Sequence, residues 1–272
     1  MQSQQKVRFK KRSVDLDELK QRQESKRRRR RVFYISLFTA LCIIFTAVCF
    51  IVFFKIKTVE VEGVSRYSAE EIISAFGVEQ GKNLYAFDKD EKEAALMSEL
   101  PYINSVTIER VLPSTVIIHV EEKEPCMYVE LSGEQYLLTD DMHILEYTAD
   151  PIKLYGLLKL DMEPETVSRC IVGEKLFFTD RRTGDVISEA YREIERAELV
   201  NRVTYIDANN RFGIYIGLDN SYEAYMGDIN EFDTKLAFLK GITDKLSTLD
   251  GGRDKGRIDV SEINKGIFTP VN

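Results

Sequence analysis

Twenty-three consecutive residues without a charge, a proline or a glycine, Val32 to Phe54, constrain this chain more than any other feature. A helix of that length rises roughly 35 Å, enough to cross a bilayer core with some tilt. In lipid the backbone groups have only one another to bond, so such a segment has to be helical. The block Lys26-Arg27-Arg28-Arg29-Arg30-Arg31 abuts it. Thirteen Lys/Arg and four Asp/Glu precede the run, a net of +9, whereas residues 32–272 carry 25 basic and 41 acidic side chains, a net of −16. The positive-inside rule then places the N-terminus in the cytoplasm and the domains on the far side, as in a type II single-pass protein. A cleaved signal peptide has a shorter apolar core and a small-residue cleavage site. Here Lys55-Ile56-Lys57 follows directly, so the run reads as an uncleaved anchor.

Residues 1–31 show little apolar periodicity and are expected to be a disordered basic tail. The arginine run reads as a topology signal drawn to anionic lipid headgroups. Nucleic acid is not an expected partner, because the exterior is acidic. With 44% apolar residues, the remaining chain can bury a core of one large or two small domains.

The first outer segment, 57–125, has a legible element order. Thr58-Val59-Glu60-Val61-Glu62 alternates as a strand and stops at Gly63. Ser68 and Glu71 have capping-box spacing, and the helix they open runs through Ile72 and Phe76 to Gly77. Asp88 caps a second helix that ends near Leu100, before Pro101. Ile103 to Arg110 and Thr115 to Glu122 alternate as strands, with Val106, Ile108, Val116, Ile118 and Val120 inward. Val111-Leu112-Pro113-Ser114 joins them as a hairpin. The order β-α-α-β-β predicts a two-layer α+β module with both helices on one sheet face.

The second segment, 126–264, reads as a mixed β domain with flanking helices. Cys126 to Leu131 and Gln135 to Thr139 form a hairpin across Ser132-Gly133-Glu134. The turn Asp140-Asp141-Met142-His143 leads into Ile144 and Leu145. Residues 149–178 are irregular. A helix is expected from Asp185 to Glu198, with Val186, Ile187, Ala190, Ile194 and Ala197 on one face. Strands follow at Val203 to Asp207, Phe212 to Leu218 and Tyr222 to Met226. A final helix carries Phe232, Leu236, Leu239, Ile242 and Leu246 and ends at Gly251-Gly252. Arg257 to Val260 is a last short strand, and residues 265–272 form a loose tail. Lys123-Glu124-Pro125 is too short to be a flexible linker, which predicts two domains packed with little hinge freedom.

Chemistry is sparse. His119 faces outward on a strand and His143 sits in a turn, neither with metal-ligand spacing to Cys or carboxylates. No G-x-S-x-G, H-E-x-x-H or phosphate-cradling loop occurs. Gly251-Gly252-Arg253-Asp254 follows a helix, not the strand that a phosphate loop requires. The pairs Glu70-Glu71, Glu121-Glu122 and Asp140-Asp141 fall at element ends, where solvated surface is the simpler reading. Cys42 and Cys49 are apolar filler in the membrane run. Cys126 and Cys170 are either two buried thiols or a disulfide. Phe212, Tyr215, Tyr222 and Tyr225 are either core or a protein-binding surface. No cofactor or metal is expected, and no catalytic residue stands out.

The spacing of Val59-Glu60-Val61-Glu62-Gly63, Gly81-Lys82-Asn83-Leu84, Leu100-Pro101-Tyr102-Ile103, Glu109-Arg110 and Leu112-Pro113-Ser114-Thr115 resembles the FtsQ-type POTRA domain. Val120-Glu121-Glu122-Lys123-Glu124-Pro125 is similar to that domain's exit into a following β domain. Lys235-Leu236 and Arg257-Ile258-Asp259-Val260 resemble the C-terminal region of the FtsQ/DivIB cell-division family. His143 departs from the pattern, since the family often has Gly before the Val/Ile-Leu pair. The resemblance implies a non-enzymatic scaffold at the division septum. It would join FtsB/DivIC-like and FtsL-like single-pass partners and regulate the septal peptidoglycan synthase complex. It also implies a docking strand at the sheet edge, here Arg257, Ile258, Asp259 and Val260, to which a partner strand adds. Two other classes compete. A polypeptide-handling POTRA module would usually be repeated or joined to a barrel, and a wall hydrolase would need a catalytic pair that the motifs do not supply.

Overall fold

The computed structural model describes residues 3–249, 255–263 and 265–271. Helix α1 runs Ser3–Phe53. Its portion Lys26–Phe53 is long and apolar enough to cross a membrane. The polar side chains inside the apolar run fold back on their own helix: Ser36, Thr39 and Thr46 donate to the carbonyls of Phe33, Ile35 and Cys42 at 3.0, 2.8 and 2.9 Å. No hydroxyl of the three is left to face lipid without a partner. The helix extends N-terminally from the apolar run to Ser3. Neither Gly nor Pro occurs before Phe54, and Lys, Arg, Gln and Glu dominate the stretch. Nothing in it stops a helix from propagating out of the apolar segment.

By its contacts the chain falls into two compact units. One comprises Met1–Val59, Glu79–Phe87 and Arg110–Val116; the other comprises Glu60–Val78, Asp88–Glu109 and Ile117–Asn272.

The first module contains β1 (Thr58–Glu62), α2 (Ala69–Phe76), α3 (Lys89–Glu99), β2 (Ile103–Val111) and β3 (Thr115–Glu122), with sheet order β1-β3-β2. Its caps are those the sequence predicts. Ser68 Oγ accepts from Glu71 N at 3.2 Å, and Glu71 returns the bond to Ser68 N at 2.8 Å. Gly77 closes α2 in the left-handed region, φ 61°, donating to Ile73 O. Asp88 accepts from the amides of Asp90 and Glu91. Ile72, Phe76, Leu96, Ile108, Val116 and Ile118 are buried. Gly63 is required on two counts: its φ is +84°, and a Cβ there would meet Val120 O at 2.1 Å.

The rest is one nine-stranded mixed sheet. Its strands are β4 (Met127–Leu131), β5 (Glu134–Leu138), β6 (Ile144–Thr148), β7 (Leu158–Leu160), β10 (Val203–Asp207), β11 (Ile214–Leu218), β12 (Tyr222–Gly227), β13 (Gly256–Asp259) and β14 (Ile267–Pro270). The spatial order is β14-β13-β12-β11-β10-β7-β4-β5-β6, and β8 (Val167–Arg169) with β9 (Phe177–Phe178) forms a separate ribbon. Strand β7 lies in the stretch that looked irregular, yet it is central. It pairs in parallel with both β4 and β10 and so joins the antiparallel β4-β5-β6 group to the β10–β14 part of the sheet. Helices α4 (Thr183–Arg196) and α5 (Phe232–Leu249) supply Ile187, Ala190, Ile194, Phe232, Leu236 and Leu239 to a core shared with Val129, Leu160, Ile206, Ile216, Ala224 and Ile258. The expected helix end at Gly251-Gly252 lies outside the described residues. The left-handed residue of the Asp140–His143 turn is Met142, φ 68°, so the turn closes without needing glycine at His143.

The module and the sheet meet over a second small core. Tyr102, Leu137 and Leu145 are buried together, with Tyr67, Tyr128, Leu154 and Leu157 packed against them. Arg66 stacks 4.9 Å from the Tyr102 ring, and Lys123 N donates to Tyr102 O at 2.6 Å. The Glu122 carboxylate accepts from the amides of Ser65, Arg66 and Tyr67 and from Ser65 Oγ, at 2.6 to 3.2 Å. Its partial burial opposes ionisation, but these donors outweigh that and hold its pKa below the ordinary value.

Candidate partner interface at the end of the sheet

The docking strand read from the sequence, Arg257 to Val260, is not an edge. Strand β13 is flanked on both sides: Glu223, Ala224 and Tyr225 of β12 pair in parallel with Arg257, Ile258 and Asp259, and Thr269, Phe268 and Ile267 of β14 pair with the same three residues antiparallel. Ile258 and Val260 are buried, at 0% and 1% exposure, in the core beneath α5. Arg257 is exposed and ion-paired with Glu223 at 2.8 Å. Asp259 accepts from Ser261 N and Oγ at 3.0 and 2.7 Å, turning the chain after the strand. Strand β13 is therefore internal to the sheet, and the strand that covers it lies in the segment read from sequence as a loose tail.

Strand β14 sits there because the backbones come close. A Cβ at Gly256 would lie 2.2 Å from the Phe268 ring and 2.8 Å from Thr269 O. The Phe268 ring leans on Tyr222, edge to face at 6.3 Å. Val271 N donates to Lys255 O at 2.9 Å. Alternation along an antiparallel pair then directs Thr269 and Ile267 toward β13, and Phe268 and Pro270 toward the far side. Pro270 has no N–H, so the outer edge offers the Phe268 N–H and C=O and the Pro270 carbonyl. Around it Ile263, Ile267 and Val271 are 46%, 50% and 63% exposed. No described strand pairs with the far side of β14.

Lys235 anchors the start of α5 below this edge. Its side chain is buried, and its Nζ donates to Asp228 O and Oδ1 at 2.9 and 3.3 Å. Burial works against the Asp228 charge, but hydrogen bonds from Asn230 and Lys235 prevail and lower its pKa.

Comparison with known proteins bears on both regions. Residues 54–123 match the FtsQ-type POTRA domain family. The chain is 29% identical over 166 residues to the cell division protein DivIB of Clostridium acetobutylicum, covering 61% of this chain and 59% of that protein. It is 29% identical over 97 residues to the cell division protein FtsQ of Corynebacterium glutamicum, covering 35% and 43%. It is 26% identical over 164 residues to FtsQ of Streptomyces venezuelae, covering 57% and 56%. The chain carries an FtsQ-type POTRA domain and is similar to FtsQ/DivIB cell division proteins. The matched region spans about half the length of these relatives.

Within that family frame, the residues singled out for other chemistry settle into structural roles. His119 bridges Glu62 and Glu109 across the module's sheet, at 3.1 and 3.4 Å. His143 bonds Asp141 through Nδ1 at 2.8 Å. Among the described residues no group of three or more His, Cys, Asp or Glu is placed to hold a metal ion. Cys126 and Cys170 are both free thiols, pushed up to about 12 and about 11 by burial. Of the four aromatics, Tyr222 is core, Phe212 is exposed, and Tyr215 and Tyr225 stack on each other at 4.8 Å. Sequence reasoning missed Ile267, Phe268 and Val271. The available signal was the apolar, β-prone triplet Ile267-Phe268-Thr269 after Gly266, too short to stand out beside Pro270.

Proposed function

We propose that this chain is a non-enzymatic, membrane-anchored scaffold of the division machinery. In this reading α1 crosses the membrane with its N-terminus in the cytoplasm, and the two folded regions lie outside at the septum. There they hold small single-pass partners of the FtsB/DivIC and FtsL kind and so place and regulate septal peptidoglycan synthesis. The observation that carries the reading is the series of a membrane-length helix, an FtsQ-type POTRA domain and a large sheet whose last strand, among the described residues, is unpaired on one side. An unpaired strand can accept a partner strand through main-chain hydrogen bonds, with neighbouring side chains setting specificity. The expected docking edge is β14, with Ile263, Ile267 and Val271 as the apolar contacts; β13 supports it from behind.

Depletion in the native cell tests the role: filaments without septa are expected, and normal division overturns it. Co-purification of the full chain with its DivIC-like partner tests the site. Ile267→Asp is expected to lower recovery of the partner, and undiminished recovery moves the docking surface elsewhere.

A further inference from the structure

The end of α1 does not lead into a tether. Carbonyls at its end are engaged by a loop of the first module. Asn83 Nδ2 donates to Phe50 O at 3.2 Å, and Leu84 N donates to Phe54 O at 2.7 Å. The chain then continues as a short ladder: Ile56 N to Lys82 O at 2.9 Å, Gly81 N to Ile56 O at 2.8 Å, and Lys57 N to Ser114 O at 2.8 Å. Ile56 and Leu84 are buried beneath it. Three rings close the corner, with Phe50 and Phe54 lying 5.2 and 6.1 Å from Tyr85. Arg110 stacks on Tyr85 and Phe87 at 5.2 and 4.6 Å and donates to Phe87 O at 2.6 Å. The helix end, residues 79–87 and the hairpin tip 110–116 thus form one compact unit.

What this unit exposes is unusual for the chain. Tyr85, Val111 and Leu112 are 46%, 36% and 57% exposed. Between Lys55 and Val59, Glu79 and Phe87, and Arg110 and Val116 stand Lys55, Lys57, Lys82 and Arg110 against a single carboxylate, Glu79, in a region whose overall balance from residue 32 onward is −16. Glu79 is held by Lys82 at 3.3 Å, while Lys55 and Lys57 are exposed. Cations beside aromatic and aliphatic side chains, directly where an apolar helix ends, match the two layers of a bilayer interface. The apolar groups suit the upper acyl region and the cations suit the phosphates.

We propose that these residues form a docking surface for anionic phospholipid, on the same bilayer that α1 crosses. Tyr85, Val111 and Leu112 enter the interface while Lys55, Lys57 and Arg110 meet headgroup phosphates. The proposal rests on α1 spanning the membrane, and its consequence is that residues 79–87 and the hairpin tip 110–116 are held at the lipid surface beside the helix end.

The chain has no tryptophan, so one introduced residue reports alone. The test places Leu112→Trp in the full chain and reconstitutes it into phosphatidylcholine vesicles with and without phosphatidylglycerol. Quenching by bromines high on the acyl chains and shielding from acrylamide are expected. Both should increase with phosphatidylglycerol, and the increase should fall several-fold when Lys55→Glu and Lys57→Glu are added, since each cation at an anionic surface is worth about fivefold. Emission open to acrylamide and blind to bromine, in a chain that resists alkaline extraction, overturns the docking surface and leaves the spanning helix intact. Quenching indifferent to phosphatidylglycerol or to the lysine reversals overturns it equally. Extraction of the chain by alkali overturns both readings.

Discussion

The two ends of the nine-stranded sheet handle the same kind of residue in opposite ways. At the β6 end, Leu137 and Leu145 are each 1% exposed because Tyr102 of the first module closes over them. The backbone is occupied at the start of β6, with Ile144 N bonded to Glu174 O and Gly173 N to Ile144 O, although no described strand pairs beyond β6. At the β14 end, Ile267 and Val271 are half or more exposed, and no described strand pairs beyond them. Apolar area removed from water stabilises by about 25 cal/mol per Å² whether the cover comes from the same chain or another. The closed end has that stabilisation within the fold. The open end keeps it available for association, as expected of a scaffold. Substitutions at the two ends should therefore separate into losses of stability and losses of binding.

The largest effect is expected from Ile258→Asp, at the residue first read as a docking contact. The site is fully buried, so the change strands a carboxylate in the core and should cost about 4 kcal/mol or more. Urea unfolding of the full chain in detergent would measure it. A stable, folded variant deficient only in partner capture would show that β13 is reached from outside after all. Tyr102→Ala comes next, at about 3–4 kcal/mol, since it empties the small core between module and sheet. The same measurement checks it, and a loss under about 1 kcal/mol would mean that the closed end is not closed by Tyr102.

How much of this contrast could be read from sequence depended on local signals. The first module was legible in full because each element carries its own punctuation: Gly63, the Ser68–Glu71 box, Gly77, Asp88 and Pro101. The sheet was legible where strands are joined by tight turns. It was not legible at β7, three residues long and paired in parallel, because its partners Met127–Val129 and Tyr205–Ile206 lie far away in the chain. Strand β14 was missed for a related reason. It is four residues long and ends in proline, and only the close approach at Gly256 explains why it covers β13. An edge is a property of sheet order, and sheet order is set by contacts that no local pattern encodes. That is why a correctly placed strand was assigned the wrong position in the sheet.

A smaller effect tests how the closed end is tied. Glu122→Gln keeps one acceptor for the Ser65–Tyr67 loop but loses the charge, and about 1–2 kcal/mol is expected for this partly exposed group. The Glu122 pKa is lowered in the fold, so its stabilisation is fully present above the ordinary carboxylate pKa and disappears as pH falls through the folded value. Wild type should accordingly lose more stability than Glu122→Gln between neutral pH and about pH 3. Parallel acid profiles for the two proteins would assign the clasp no electrostatic part.

The smallest expected change in stability is at the open end, and it bears most on function. Ile267→Asp alters a half-exposed side chain on β14 and should stay within about 0.5 kcal/mol of wild type in the same urea titration. Its effect should instead appear in association. If a partner strand covers Ile267, the introduced carboxylate would be desolvated in the complex, and a loss of at least about 1.4 kcal/mol, tenfold in Kd, is expected. Two variants bearing the same aspartate, nine residues apart, would then fail in different assays: Ile258→Asp by unfolding and Ile267→Asp by losing its partner. Equal failure of both in the stability assay would mean that β14 is packed by something beyond the described residues, and the open end would have to be sought at another edge.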